Sequence, residues 1–322
     1  MCSLGAHIPD SSRIIVRIFV EIRHCHIRRQ QISSSERAIT TTPDSYNITT
    51  FKMTSKLIPP NPDKVMVIRN ITPDVVTLSL PFSRFGHINI GGRGTLVRLQ
   101  NGSVAVFSPV ALTDEVRSRV DKLGAVKYIA ANDAEHHIFM DDWHKAFPDA
   151  KLIGPDELKA KRESQKKPLP WTHLFRPKDN TSWNIDEAFD REFDAEYVHA
   201  HANKELVFNH KPSKTLIQAD LLFNLPATEQ YSRTDTSPTA GILTKLMCKI
   251  NTTAGSAIWQ KRFVWYALSA SDRPAFNQSM ARIDKWDFER IIPCHGDVIE
   301  KEGKGIFRKV FEWHLEAAKK ST

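Results

Sequence analysis

The chain has 322 residues, 41% of them hydrophobic, enough to bury the core of one large domain or two small ones. Its formal charge of +8 is concentrated in residues 1–52 (net +3) and 159–178 (net +6); the near-neutral remainder argues against a folded face built around a polyanion. Four widely spaced cysteines (Cys2, Cys25, Cys248, Cys294) argue against a disulfide framework or a thiolate zinc knuckle, and no run approaches the roughly 18 apolar residues of a membrane helix.

Residues 1–52 show no sustained period, and Ser, Thr, Arg and His dominate from Arg23 to Thr50. They read as a disordered extension to a domain over 53–322. Their Arg- and Ser-rich character also resembles a mitochondrial transit segment, against which Asp10, Glu21 and Glu36 count. The location expected is the cytoplasm, or the mitochondrion if this segment is a transit peptide.

From Val65 the texture changes. Val65–Ile68, Val75–Leu80 and Gly94–Leu99 are short β-rich runs bounded by turn residues. Asn101-Gly102 marks a hairpin leading into Val104–Phe107. Gly91-Gly-Arg-Gly94 lacks the Lys-Ser/Thr of a phosphate loop and reads as a turn that lets the first strands approach closely. Thr113 is an N-cap for a helix over Asp114–Leu123, with Val116 and Val120 four apart and Gly124 closing it. Val126–Ala130 is the next strand, and Asn132–His137 lies just past its end. Phe139, Trp143 and Phe147 form a helical core stripe that Pro148 terminates, before a short strand at Lys151–Ile153. Strand and helix alternate, so the first half reads as α/β.

Residues 164–185 are loop-like, pinned by Trp171, Phe175 and Trp183. Phe193–Ala200 then pairs with Leu206–Asn209 across an Asn203-Lys204 turn. The run continues through His210, a Lys-Pro-Ser-Lys turn and Thr215–Ala219 to Asp220, so His210 and Asp220 are expected at the ends of adjacent strands, converging on one point. Residues 227–286 read as a helical insertion. Arg290–Pro293 is the last strand, followed by Cys294-His-Gly-Asp297 and a helix over Gly305–Lys319.

A strand ending in a His-rich turn, a strand–His–turn–strand–Asp unit and a terminal Ile-Pro-Cys-His-Gly resemble the metallo-β-lactamase fold superfamily, more narrowly an uncharacterised subfamily of it. The resemblance covers Val65–Leu315 and implies a four-layer αββα sandwich with a metal site at one edge of its sheets and the helical insertion before the last strand. Aligning the superfamily's HxHxDH motif on His137 puts Asn132 and Ala134 where its first two His stand and His136 in place of its Asp. The resemblance then places the other ligands at His210, Asp220 and His295. Neither Asn132 nor Ala134 is a good zinc ligand, so one metal position is expected rather than two, held from the set His136, His137, His210, Asp220 and His295. Zinc suits such ligands, and iron or manganese would accept them. His136 and His137 point in different directions on regular structure, so both reach one ion only from an irregular turn.

The resemblance implies a mononuclear metal-dependent hydrolase of unknown substrate, a small molecule being the substrate or ligand expected, with His210 or Glu135 as candidates for proton transfer. A catalytically inactive, ligand- or partner-binding member of the fold is the alternative. Nucleic-acid processing, suggested by the basic run with Trp171 and Phe175 interleaved, is the weaker one, since nucleases on this fold depend on the full His set.

Overall fold

The computed structural model describes residues 58–177 and 183–321. The expected extension, residues 1–52, lies outside them, and the account below concerns the unit 53–322.

Two sheets form the interior. The larger has seven strands in the order β1-β2-β5-β6-β7-β8-β9: β1 Val67–Asn70, β2 Val75–Leu80, β5 Gly92–Arg98, β6 Ser103–Phe107, β7 Ala125–Ala130, β8 Lys151–Pro155 and β9 His173–Phe175. Strands β1 to β6 pair antiparallel, and β6 to β9 pair parallel. A two-stranded hairpin, β3 Ser83–Arg84 and β4 Ile88–Asn89, stands beside it. The smaller sheet holds β10 Phe193–Val198, β11 Glu205–His210, β12 Thr215–Ile217 and β13 Arg290–Ile292, in that order.

Side chains alternate across a strand, which explains how one sheet serves two cores. On β6, Val104 and Val106 face a cluster with Val116, Val120 and Leu123 of the helix Asp114–Leu123 and Met140 and Trp143 of the helix Met140–Ala146. Their neighbours Ala105 and Phe107 face the second sheet, packing with Phe189, Phe193 and Phe208. The Phe107 and Phe208 rings are 5.0 Å apart, in a tilted arrangement that suits their quadrupoles. Behind the second sheet lies the helix Arg273–Ile283, whose Arg282 is bidentate to Glu196 of β10 at 2.6 and 2.9 Å. The αββα layering expected from the resemblance is the layering observed.

Most predicted elements stand within a residue or two. Thr113 caps its helix, its Oγ1 accepting from Val116 N at 3.3 Å. Gly94 lets β5 approach the chain after β6, since a Cβ there would sit 3.0 Å from Ser108 O. The first strand starts at Val67, because Pro62 at the helix-starting position nucleates a turn, Pro62–Val65, closed by Met66 N–H to Pro62 O at 2.9 Å. Residues 227–286 are helical as expected, with helices Thr228–Tyr231, Ile242–Ile250, Ile258–Phe263 and Arg273–Ile283 and a π-helical turn at Val264–Leu268. The C-terminal helix is two, Gly303–Val310 and Glu312–Lys320, broken at Phe311. Among the described residues no helix is long and apolar enough to cross a membrane.

Several described residues of the basic run engage their own chain. Lys161 Nζ donates to Ala134 O (2.6 Å) and Glu135 (2.9 Å), Arg162 is buried against His137 and Asp141, and Arg176 pairs with Asp156.

Candidate metal centre

Parallel pairing of β12 with β13 builds the centre. Ile217 is in register with Ile292, and the chain continues three residues beyond each. Asp220 and His295 therefore arrive side by side, with His295 Nε2 3.1 Å from Asp220 Oδ1. The first sheet supplies the third group: the segment after β7 carries His136, whose Nε2 is 3.2 Å from His295 Nε2. One ligand atom from each of His136, Asp220 and His295 lies within 4.8 Å of the others.

Each group is held from behind. Asp133 is fully buried, and its Oδ1 accepts from the backbone N–H of Glu135 and of His136, both at 2.7 Å, and from His136 Nδ1 at 2.9 Å. His295 Nδ1 donates to Gly91 O at 2.6 Å. Its ring is stacked between Phe223 (5.2 Å) and Phe82 (6.1 Å). Asp220 Oδ2 accepts from Asn203 Nδ2 at 2.5 Å, and the backbone N–H of Asp220 donates to the buried Glu205 carboxylate at 3.0 Å. Ala134 N–H to Asn203 O and Leu206 N–H to Asn132 O tie the two sheets together at this edge.

Tautomers follow from these partners. A carbonyl oxygen only accepts, so His295 carries its proton on Nδ1; the Asp133 carboxylate assigns His136 the same tautomer. Both Nε2 atoms are left as lone pairs aimed at each other and at Asp220 Oδ1, which is buried without a hydrogen-bond donor. Three converging lone pairs need a cation or a proton between them, and this donor set fits a divalent metal. Burial opposes protonation of His136, yet Asp133, Cys294 and Asp220 together raise its pKa well above the ordinary imidazole value. Burial likewise opposes the charge of Asp220, but His136, His295 and Arg84 hold its carboxyl well below the usual carboxylate range. Burial, Asp133 and Asp220 push Glu205 upward.

The expected residues divide. His136, Asp220 and His295 come together. His137, next in sequence, turns to Arg162, with its Nδ1 3.1 Å from Nη1; burial, Lys161 and Arg162 depress its pKa to about 4. Glu135 is exposed and paired with Lys161. His210 is at the wrong end of its strand. β11 and β12 are antiparallel with His210 opposite Thr215, so that register places Glu205, not His210, level with Asp220. His210 is buried against Ser213 (2.7 Å) and Glu192 (3.4 Å), with its pKa lowered by burial. The convergence expected of His210 and Asp220 is thereby corrected: in a hairpin, the end of one strand meets the start of the next.

Asp133, Asn203, Glu205 and Gly91 were not anticipated. Asp133 stands two residues before Glu135, the spacing of an Asx turn, and three before His136. Asn132 is structural: its Nδ2 donates to Leu206 O at 3.1 Å, and its Oδ1 accepts from Ser108 Oγ at 3.1 Å.

Residues 84–254 match the family described as a domain of unknown function, DUF4336, and the chain belongs to that family. No curated protein matches it. Similar solved structures include a mutant flavo di-iron protein from Thermotoga maritima (12% identity, 77% of this chain and 62% of that one, TM-score 0.50). Others are a metallo-β-lactamase from Pontibacter korlensis (11%, 77% and 98%, 0.49) and one from Pseudomonas aeruginosa in its mono-zinc form (12%, 79% and 96%, 0.47). The chain is thus a DUF4336 protein whose fold is similar to that of the flavo di-iron protein.

Proposed function

We propose that this protein is a mononuclear metal-dependent hydrolase of a small-molecule substrate. The observation carrying this reading is the convergence of His136 Nε2, His295 Nε2 and Asp220 Oδ1 at a buried sheet edge, with each imidazole's other nitrogen already committed. Three protein ligands would leave a coordination position for water or substrate, the pattern of catalytic rather than structural zinc. A divalent ion held there, zinc by preference and iron or manganese as alternatives, supplies Lewis acidity that polarises a scissile carbonyl or phosphoryl oxygen and acidifies water. The protein's own residues do the rest. Asp133 and Gly91 O fix the two rings, Asn203 holds the carboxylate of Asp220 and Glu205 its backbone N–H, and Phe82 and Phe223 keep bulk water from the His295 ring.

Elemental analysis of the full chain, purified without chelators and supplied with zinc, iron and manganese, tests the reading. We expect about one metal per chain in the wild type, lost in Asp220→Ala and His295→Ala and kept in His137→Ala and His210→Ala. A wild-type chain without metal, or metal retained by Asp220→Ala, would overturn it. A hydrolase screen over esters, amides and phosphoesters then separates a hydrolase from a binding protein: turnover abolished by His136→Ala marks the enzyme.

A further inference from the structure

We propose that Arg93 is a positioning residue for His295, holding the turn that presents this imidazole to the metal centre; the proposal rests on the metal reading above. Arg93 lies on β5 with its side chain wholly buried. Its Nη1 donates to Pro293 O at 2.7 Å and to Gly296 O at 2.6 Å, the two carbonyls that bracket Cys294-His295. Its Nε donates to Ser79 Oγ at 2.9 Å and its Nη2 to Glu229 Oε1 at 3.3 Å.

The turn has no free carbonyl. Pro293 O and Gly296 O take Arg93, Cys294 O takes Gln230 Nε2 at 2.9 Å, and His295 O takes Asn224 N–H at 3.2 Å. Arg93 thus supplies two of four consecutive anchors from one nitrogen. The same strand region orients the ring, through Gly91 O on Nδ1. Glu229 completes the arrangement: it bonds Ser79 Oγ at 2.7 Å and Arg69 at 2.7 Å, while its backbone N–H holds Asp297 Oδ1 at 2.8 Å.

Stability alone is a weak reason for this residue. Taking a guanidinium out of water is costly, and apolar side chains of similar volume often serve a core as well as a buried ion pair does. What the planar fork adds is geometry, since it spans two carbonyls and a hydroxyl at once, which a lysine ammonium does not. Turn and ring are then set before any metal arrives.

The test compares Arg93→Lys, Arg93→Met and Glu229→Gln with Val120→Ala, a core truncation far from the turn that controls for lost stability. Zinc affinity is measured by chelator competition on the full chain. The tautomer of His295 is read from imidazole 15N shifts of the metal-free chain, assigned with His295→Gln. We expect zinc binding about 10- to 100-fold weaker in both Arg93 variants, as for partners that orient metal-bound histidines, and near wild type in Val120→Ala. The Nδ1–H tautomer of His295 becomes a mixture in Arg93→Lys. Wild-type affinity and an unshifted His295 resonance in Arg93→Lys, whatever its melting temperature, overturn the proposal. Should the wild type bind no zinc, the metal reading fails by itself, and the metal-free resonance still decides the role of Arg93. If Arg93→Met does not fold, Arg93→Lys and Glu229→Gln carry the same comparison.

Discussion

His314 shows how far burial governs a single side chain in this protein. It is 1% exposed, its ring 4.7 Å from Phe276 and 4.8 Å from Trp265, with Nδ1 2.6 Å from Asn277 Oδ1 and Nε2 without a partner. Burial, then Arg273, depresses its pKa to about 3. The unfolded chain therefore binds this proton first: stability is complete above about pH 6.5 and falls as pH drops toward the folded value. We expect the His314→Phe variant to show a shallower loss of stability between pH 6.5 and 4, by on the order of 1 kcal/mol per pH unit, in urea melts at stepped pH. His137 and His210, also shifted downward, keep part of the slope with the same sign. His210 makes the complementary case. His210→Ala leaves Glu192 with an unmet buried contact, so we expect about 1–3 kcal/mol of destabilisation with metal content unchanged. An Asp220→Asn variant should do the reverse, losing metal at little cost in the melting temperature of the metal-free chain.

At the scale of the element, ends matter more than middles. The helix Asp114–Leu123 depends on Thr113, and Thr113→Ala should cost about 1 kcal/mol in urea unfolding through an unmet N–H at Val116. Gly296 is the sharper example. Its φ is +87°, and a Cβ there would stand 2.1 Å from Asn224 O, inside the backbone bridge that joins the chain after β12 to the chain after β13. Gly296→Ala must push the two ligand-bearing segments apart, so we expect a loss of about 3 kcal/mol or more together with the metal site, read by thermal melting and metal content. These segments were legible in outline. The strand patterns of β11, β12 and β13 and the residues closing them, Asp220 and His295, stand in the sequence as apolar runs stopped by polar groups. The pairing was not: nothing local says that β12 runs parallel to β13 and antiparallel to β11, and that choice sends His210 away.

Across the whole molecule, the aromatic layer between the sheets carries the sandwich. Phe208 meets Phe107 and Phe193 there, and Phe208→Ala should cost about 3–5 kcal/mol by lost burial plus the cavity left behind. The candidate metal centre draws on both sheets, His136 from one and Asp220 and His295 from the other, so a bound ion would clamp the layers. Zinc at about 100 times its dissociation constant should stabilise the wild type by about 2.7 kcal/mol, and Asp220→Ala not at all, in paired thermal melts.

By itself the sequence determined the alternation of strands and helices, the capped helix at Thr113, the helical stretch over 227–286 and the choice of Asp220 and His295 as candidate ligands. The elements rest on periodicity and turn chemistry within a few residues, and the two ligands on the family resemblance that the motifs around them carry. Only the tertiary structure shows that His136, and neither His137 nor His210, lies beside Asp220 and His295. Adjacent histidines differ in direction by the conformation of one irregular turn, which the buried Asp133 carboxylate sets by holding two backbone N–H groups and the His136 ring. Strand direction carries His210 to the far end of β11 from Asp220. The role of Arg93 was beyond local reading for the same reason: its two carbonyl partners lie 200 and 203 residues away, and only the packed sheets bring them within reach.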